Sequence, residues 1–136
     1  MTNKYVDCDK VYVGFLKEKG FSVFAKEHIK KGDLVEKGIA CVLDVDGHNN
    51  SHLFTWSEDR TKWAHTSGCA TFYNTSLQPN CIMNRDFKNN TFEIYALQNI
   101  NKDEELTHLY RSLQWRQCFK DLHSHLTLIA KDKKNT

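Results

Sequence analysis

The stretch FYNTSLQPN, residues 72–80, decides the fold. It is too polar and irregular for a core strand, and it follows a tight run of small residues at 67–70. Asn, Thr, Ser and Pro favour turns because their side chains bond to nearby backbone or fix its φ angle. Taken alone, the composition favours a plain surface turn, but a loop on a rigid scaffold is also the usual place for a binding site. The surrounding sequence has to decide between the two.

Composition limits the class of protein. The chain has 136 residues, of which 40% are hydrophobic and 12% aromatic, and this predicts a single globular domain. Nineteen basic and seventeen acidic residues leave a net charge of +2, too small to indicate a nucleic-acid partner. The N-terminus lacks the apolar run of a signal peptide, and no stretch approaches the roughly 20 apolar residues of a membrane span. We therefore expect an intracellular protein, nuclear or cytoplasmic, with no membrane partner.

The cysteines indicate neither a disulfide framework nor a metal site. There are five, an odd number, and they are widely spread with no C-x-x-C pair: Cys8, Cys41, Cys69, Cys81 and Cys118. Zinc sites normally show closely spaced thiolates. We expect reduced, mostly buried thiols and no metal.

Short β-branched and aromatic segments dominate the chain. They predict strands over residues 11–16, 21–25, 34–43, 81–87, 92–97 and 105–110. The turn at 88–91 gives the clearest hairpin, because asparagine tolerates a positive φ angle. The mixed pattern of 52–70 suggests a strand and one helical turn. The sequence therefore predicts one compact, mostly β domain.

Only the C-terminal part has a helical period. Apolar residues recur there at spacings of three and four: Trp115, Cys118, Phe119, Leu122, Leu126 and Ile129. We expect an amphipathic helix over about 112–130, a disordered polar tail over 131–136, and domain bounds of 1–130.

Three separated stretches resemble the SET family of protein-lysine methyltransferases. Residues 19–25 and 29–36 are similar to the family's Gly-aromatic-Gly opening and its I-x-x-G-x-x-I/V-x-E strand. Residues 72–80 are similar to F-x-N-H-S-x-x-P-N, and residues 94–110 end like G-E-E-L-T-x-x-Y. The motifs stand in the family's order over about 90 residues. A β-rich interaction protein with chance motifs would need three coincidences in register.

The chain looks most like the small stand-alone members, such as the viral SET proteins. The resemblance implies a mostly β, SET-domain β-clip fold of small sheets, with a pseudo-knotted C-terminal segment passing beneath an earlier loop. The implied activity is S-adenosylmethionine-dependent methylation of a lysine in a flexible protein tail, for example of a histone. A homodimer would add a second copy of the chain as partner. The alternative is a catalytically silent SET-like module that binds a peptide or cofactor.

The resemblance also implies roles for individual residues near the cofactor. Gly20, Phe21 and Ser22 match the first cofactor contact, with Ser22 in place of the second glycine. Asn74 matches the side chain that holds the cofactor's amino-acid end. Thr75 stands where the family has a histidine that meets the adenine mainly through its backbone. The two departures, Ser22 and Thr75, are the main support for the silent alternative.

On the substrate side, Tyr110 matches the catalytic tyrosine, whose hydroxyl orients the amine. Free lysine has a pKa of about 10.4, so the reaction needs a site that disfavours its charged form more than it needs a strong base. Candidate channel residues are His52, Tyr73, His108 and Trp115; core packing is an alternative for Tyr73 and Trp115, and a solvent-facing position for His108. Leu77 stands where zinc-binding relatives have a cysteine, so no metal is expected.

Overall fold

The computed structural model describes residues 4–110 together with residues 122, 124, 126 and 127. The described chain is built of short strands with one turn of 3-10 helix at Ala70–Phe72. The strands are β1 (Val11–Leu16), β2 (Gly20–Ala25), β3 (Leu34–Leu43), β4 (Phe54–Thr55), β5 (Trp63–Thr66), β6 (Asn74–Thr75), β7 (Cys81–Asp86), β8 (Thr91–Ala96) and β9 (Glu105–His108). The prediction of a mostly β domain is confirmed.

The strands form two sheets. One has the order β1-β2-β9-β6 and the other β4-β5-β3-β8-β7. The pairs are antiparallel except for β6 and β9, which run parallel. The last strand, β9, is thus inserted between two earlier ones, and this brings distant parts of the sequence together.

The predicted hairpins are present. β1 pairs with β2 along their whole length, and β2 begins at Gly20, whose φ of +85° suits a glycine. The turn between β7 and β8 contains Asn90 at a φ of 55°, as the asparagine-rich sequence predicted. The predicted strand at 105–110 ends earlier, at His108. Tyr110 consequently lies just beyond the sheet edge.

One expectation about residues 72–80 was wrong. The stretch is polar, yet it contains the short strand β6, in which Asn74 pairs with Thr107 and Thr75 with His108. Pairing with β9 overrides the weak local preference of these residues for strand. The rest of the stretch is irregular, as predicted.

The loop after β6 is hydrogen-bonded to β9. The Asn80 side chain donates to the carbonyl oxygen of Glu105 at 2.8 Å and accepts from the backbone N–H of Thr107 at 2.8 Å. The N–H of Ser76 donates to the carbonyl of His108 at 3.2 Å. These bonds hold the last strand against the earlier loop, which is the pseudo-knotted arrangement expected.

The core lies between the sheets and the loops that join them. Its largest fully buried apolar side chains are Trp56, Phe92, Ile29, Ile94, Ile100, Leu106 and Val23. Alternate residues of β8 face this core, and burying each large apolar side chain contributes roughly 1.5–3 kcal/mol. The core packs against β9 and the 72–80 loop.

The predicted C-terminal helix is only partly within the described residues. Leu122, Ser124, Leu126 and Thr127 are helical. The remainder of that prediction, including Trp115, and the predicted tail at 131–136 lie outside the described residues. Among the residues that are described, no helix combines the length and the apolar character needed to cross a bilayer.

Candidate active site

The position of Tyr110 is fixed by the 72–80 stretch. Its hydroxyl donates to the backbone carbonyl of Tyr73 at 2.5 Å, and its N–H donates to Oγ1 of Thr75 at 3.0 Å. Parallel pairing of β6 with β9 brings these residues together from 35 or more positions apart. Thr75, the departure from the family's histidine, therefore anchors the backbone of Tyr110.

A cavity of about 200 Å³ opens beside Tyr110. It is lined by Lys19, Phe21, Ser51, His52, Thr71, Phe72, Asn74 and Tyr110. Four of these were predicted site residues, namely Phe21, His52, Asn74 and Tyr110. Gly20 precedes this wall, and a Cβ built on it meets nothing within 4 Å, so its backbone is open to approach. The structure thus brings the first and second motifs to one cavity.

Asn74 is held by two hydrogen bonds. Its amide nitrogen donates to Oγ of Ser22 and to Oε2 of Glu105, both at 2.8 Å. The amide hydrogens are thus used within the protein, and Oδ1 is the atom left to accept from a ligand. Ser22 is completely buried, so its side chain supports Asn74 from behind and does not itself face the cavity.

A lysine extends this network to the cavity wall. Lys19 Nζ lies 2.6 Å from Oε1 of Glu105, whose other carboxylate oxygen binds Asn74. The lysine side chain is 45% exposed, so the pair contributes little to stability. Lys19 therefore helps to hold the carboxylate that binds Asn74, and the two charges neutralise each other at the rim.

A second, much smaller cavity also borders Tyr110. It measures about 10 Å³ and is lined by Ser51, Leu53, Phe54, Thr55, Thr71, Arg85 and Tyr110. That volume holds about one water molecule or a similarly slim group. Ser51, Thr71 and Tyr110 line both cavities. Tyr110 therefore borders both the larger cavity, called the wide cavity below, and the smaller one, called the narrow cavity.

His108 packs behind Tyr110. It is 1% exposed, so the solvent-facing alternative was wrong. Its ring centroid lies 5.2 Å from that of Tyr110, 5.9 Å from Tyr73 and 6.3 Å from Phe54. Burial, with the nearby Arg85 charge, lowers the pKa of His108 to about 4. A neutral imidazole thus helps to fix the tyrosine ring.

The side chain of Tyr73 is part of the core. It is completely buried, and its hydroxyl donates to Oε1 of Glu36 at 2.8 Å. Oε2 of the same carboxylate accepts the N–H of Cys69 at 2.8 Å. Burial raises the pKa of Glu36 to about 7. Of the two interpretations of Tyr73, the structure favours core packing, while its backbone carbonyl serves the site.

Sequence reasoning missed several residues around the cavities. Ser51, Thr71 and Arg85 line them, and Glu105 holds Asn74, yet none was a candidate. Glu105 lies within the third motif, which was a signal that could have been used. Thr71 directly precedes the 72–80 stretch and Arg85 lies in the predicted strand 81–87, but no motif marked these two residues or Ser51. Trp115 lies outside the described residues.

A protein-family model matches the part of the chain that forms this site. The model of the SET domain matches residues 20–111, more than half of the chain. The chain belongs to the SET-domain family. No curated protein sequence matches it significantly.

Solved structures agree in fold. A candidate histone methyltransferase of Plasmodium falciparum is 26% identical, with a TM-score of 0.62 over 78% of this chain and 96% of that one. The Neurospora SET domain protein DIM-5, a histone lysine methyltransferase, is 19% identical, with a TM-score of 0.58 over 74% of this chain and 51% of that one. KRYPTONITE, solved with mCHG DNA and SAH, is 25% identical, with a TM-score of 0.58 over 74% of this chain. The match spans only 23% of the KRYPTONITE chain.

Proposed function

We propose that the chain is an S-adenosylmethionine-dependent protein-lysine N-methyltransferase. The observation that carries the proposal is the place of Tyr110, which lines both the wide cavity, where Asn74 also lies, and the narrow cavity, whose volume suits about one small group. Methyl transfer between two molecules needs such a junction, because donor and acceptor must approach along one line from opposite sides.

The wide cavity has the chemistry that the cofactor requires. Oδ1 of Asn74 would accept from the cofactor's ammonium group, and Lys19, one of whose three N–H donors goes to Glu105, would have donors left for its carboxylate. Phe21 and Phe72 offer aromatic surface in the same cavity. The bound cofactor supplies a methyl group on a positively charged sulfur. These residues hold and orient it.

The narrow cavity suits the lysine amine. The hydroxyl proton of Tyr110 is donated to the Tyr73 carbonyl, so its oxygen meets an incoming amine as an acceptor. Accepting an amine N–H would hold the nitrogen and its lone pair in one orientation. The Arg85 charge at the same cavity, together with an apolar wall that includes Phe54, disfavours the protonated amine. The amine loses its proton to solvent before transfer, and no strong base is needed.

The two departures from the family pattern are accommodated. Ser22 holds Asn74, and Thr75 holds the backbone of Tyr110. The silent-module alternative rested on these two residues, and each supports a site residue by a hydrogen bond. We therefore favour the enzyme, with a lysine in a flexible, intracellular protein tail such as that of a histone as substrate.

The test is transfer of labelled methyl from the cofactor to mixed histones and to a cell extract. Wild type should label a lysine, and Tyr110→Phe should bind the cofactor with wild-type affinity but lose most turnover. Ile82→Ala, on an exposed side chain away from both cavities, is the matched control and should behave as wild type. Cofactor binding without transfer to any lysine substrate would refute the enzyme and leave a binding module.

A further inference from the structure

Three groups that could bind a metal ion meet near the side-chain hydroxyl of Tyr73. They are the thiols of Cys8 and Cys69 and the carboxylate of Glu36, and their ligand atoms all lie within 4.8 Å of one another. They come from the N-terminal segment, the loop before the 3-10 helix, and β3. Two thiolates on one tetrahedral zinc ion would be about 3.8 Å apart, given zinc–sulfur bonds of about 2.3 Å. The cluster needs little movement to close on an ion.

The carboxylate of this cluster is buried without a cation. Glu36 is 1% exposed, and among the described residues no lysine, arginine or histidine forms an ion pair with it. Buried carboxylates in proteins are normally paired or coordinate a metal. Its neutral donors, the Tyr73 hydroxyl and the Cys69 N–H, leave each oxygen a further lone pair.

The backbone around the carboxylate is built for close approach. Gly68 has a φ of +67°, and a Cβ there would lie 2.3 Å from Oε2 of Glu36. The absence of that side chain lets the loop bring Cys69 against the carboxylate. Cys8 and Cys69 are both partly exposed, so an ion can enter from solvent.

We propose that Cys8, Glu36 and Cys69 bind a zinc ion, with a water molecule in the fourth position. Two sulfur ligands favour zinc over magnesium or calcium, which prefer oxygen. Binding converts both thiols to thiolates and releases their two protons to solvent, together with the proton of Glu36 wherever that carboxyl is neutral. The ion joins the N-terminal segment, β3 and the loop that leads to Tyr73.

Untagged protein is purified with a non-thiol reductant, and its metal content is measured by mass spectrometry. We expect about one zinc per chain at a single site. Cobalt titration should give the near-ultraviolet absorption of a sulfur-to-cobalt transition. Cys8→Ala and Cys69→Ala should each weaken zinc binding, measured against a chromogenic chelator, by more than the roughly 100-fold upper cost of losing an outer-shell partner.

Cys41→Ala is the matched control, since this free cysteine is exposed on β3 and outside the cluster; it should bind zinc as wild type does. Circular dichroism checks that each variant folds. If a variant does not fold, the cobalt spectrum of wild type decides alone. Zinc-free protein that binds cobalt without the sulfur transition, or equal zinc affinity in Cys8→Ala and wild type, would overturn the proposal. None of these measurements depends on methyl transfer.

Discussion

Two buried groups with opposite pKa shifts should cancel each other's effect on stability in mildly acidic solution. His108 has its pKa lowered from 6.5 to about 4, chiefly by burial and secondly by the charge of Arg85. The other side chains packed on it are the rings of Phe54, Tyr73 and Tyr110. Glu36 has its pKa raised from 4.5 to about 7 by burial.

Titration of His108 and titration of Glu36 change the free energy of unfolding in opposite directions. As pH falls from 6.5 toward 4, unfolded chains protonate His108 while folded chains resist, so stability falls. As pH rises from 4.5 toward 7, unfolded chains ionise Glu36 while folded chains resist, so stability again falls. Between pH 4.5 and 6.5 each contribution changes by about 2 kcal/mol, and the two changes oppose each other.

Single variants should expose each contribution. His108→Phe keeps a ring of similar size, and its free energy of unfolding should fall relative to wild type by about 2 kcal/mol as pH rises from 4.5 to 6.5. The free energy of unfolding of Glu36→Gln should rise relative to wild type by about 2 kcal/mol over the same pH range. The free energy of unfolding of the double variant should depend on pH in the same way as that of wild type.

Urea unfolding at several pH values, with a chelator to keep metal off Glu36, measures these slopes. Exposed carboxylates titrate in all four proteins and cancel when the variants are compared. Parallel profiles for wild type and both single variants would refute the opposed titration of the two groups.

The remaining predictions concern the 72–80 stretch. Asn80→Ala should lower the free energy of unfolding, measured in urea, by roughly 2–4 kcal/mol, because the buried side chain loses two hydrogen bonds to β9. Unchanged stability would show that these two bonds do not hold the loop against β9. Thr75→Val leaves the N–H of Tyr110 without its acceptor, and should lower kcat by roughly tenfold while cofactor affinity stays near wild type; an equal loss of both would place Thr75 at the cofactor. Asn74→Ala should weaken cofactor binding in calorimetry by roughly tenfold or more, whereas wild-type affinity would remove Asn74 from the cofactor site.

Local patterns in the sequence predicted most of the strands. Period-two alternation in β8 and the asparagine turn before it depend only on neighbouring residues, so the hairpin ending at Ala96 was found. The strand β6 was not found, because only its partner β9, some thirty positions away, makes it a strand. The motif order placed Asn74 and Tyr110 together correctly.

Contacts between segments that carry no motif were beyond the sequence. Cys8, Glu36 and Cys69 are spread over more than sixty positions, so a search for closely spaced thiolates predicted no metal site. The burial of Glu36 was equally hidden, because it depends on the Tyr73 hydroxyl and on the close approach of the loop at Gly68. Such clusters are visible only once the chain is folded.

Tyr73 contacts residues of both proposed sites. Its hydroxyl binds Glu36, and its backbone carbonyl accepts from the hydroxyl of Tyr110. If the carboxylate shifted, the fully buried Tyr73 would be the direct connection to the acceptor that orients the tyrosine of the proposed reaction. A ring in a close-packed core has little freedom to absorb such a shift. An ion that fixes Glu36 would fix Tyr73 and, through it, the position of the Tyr110 oxygen.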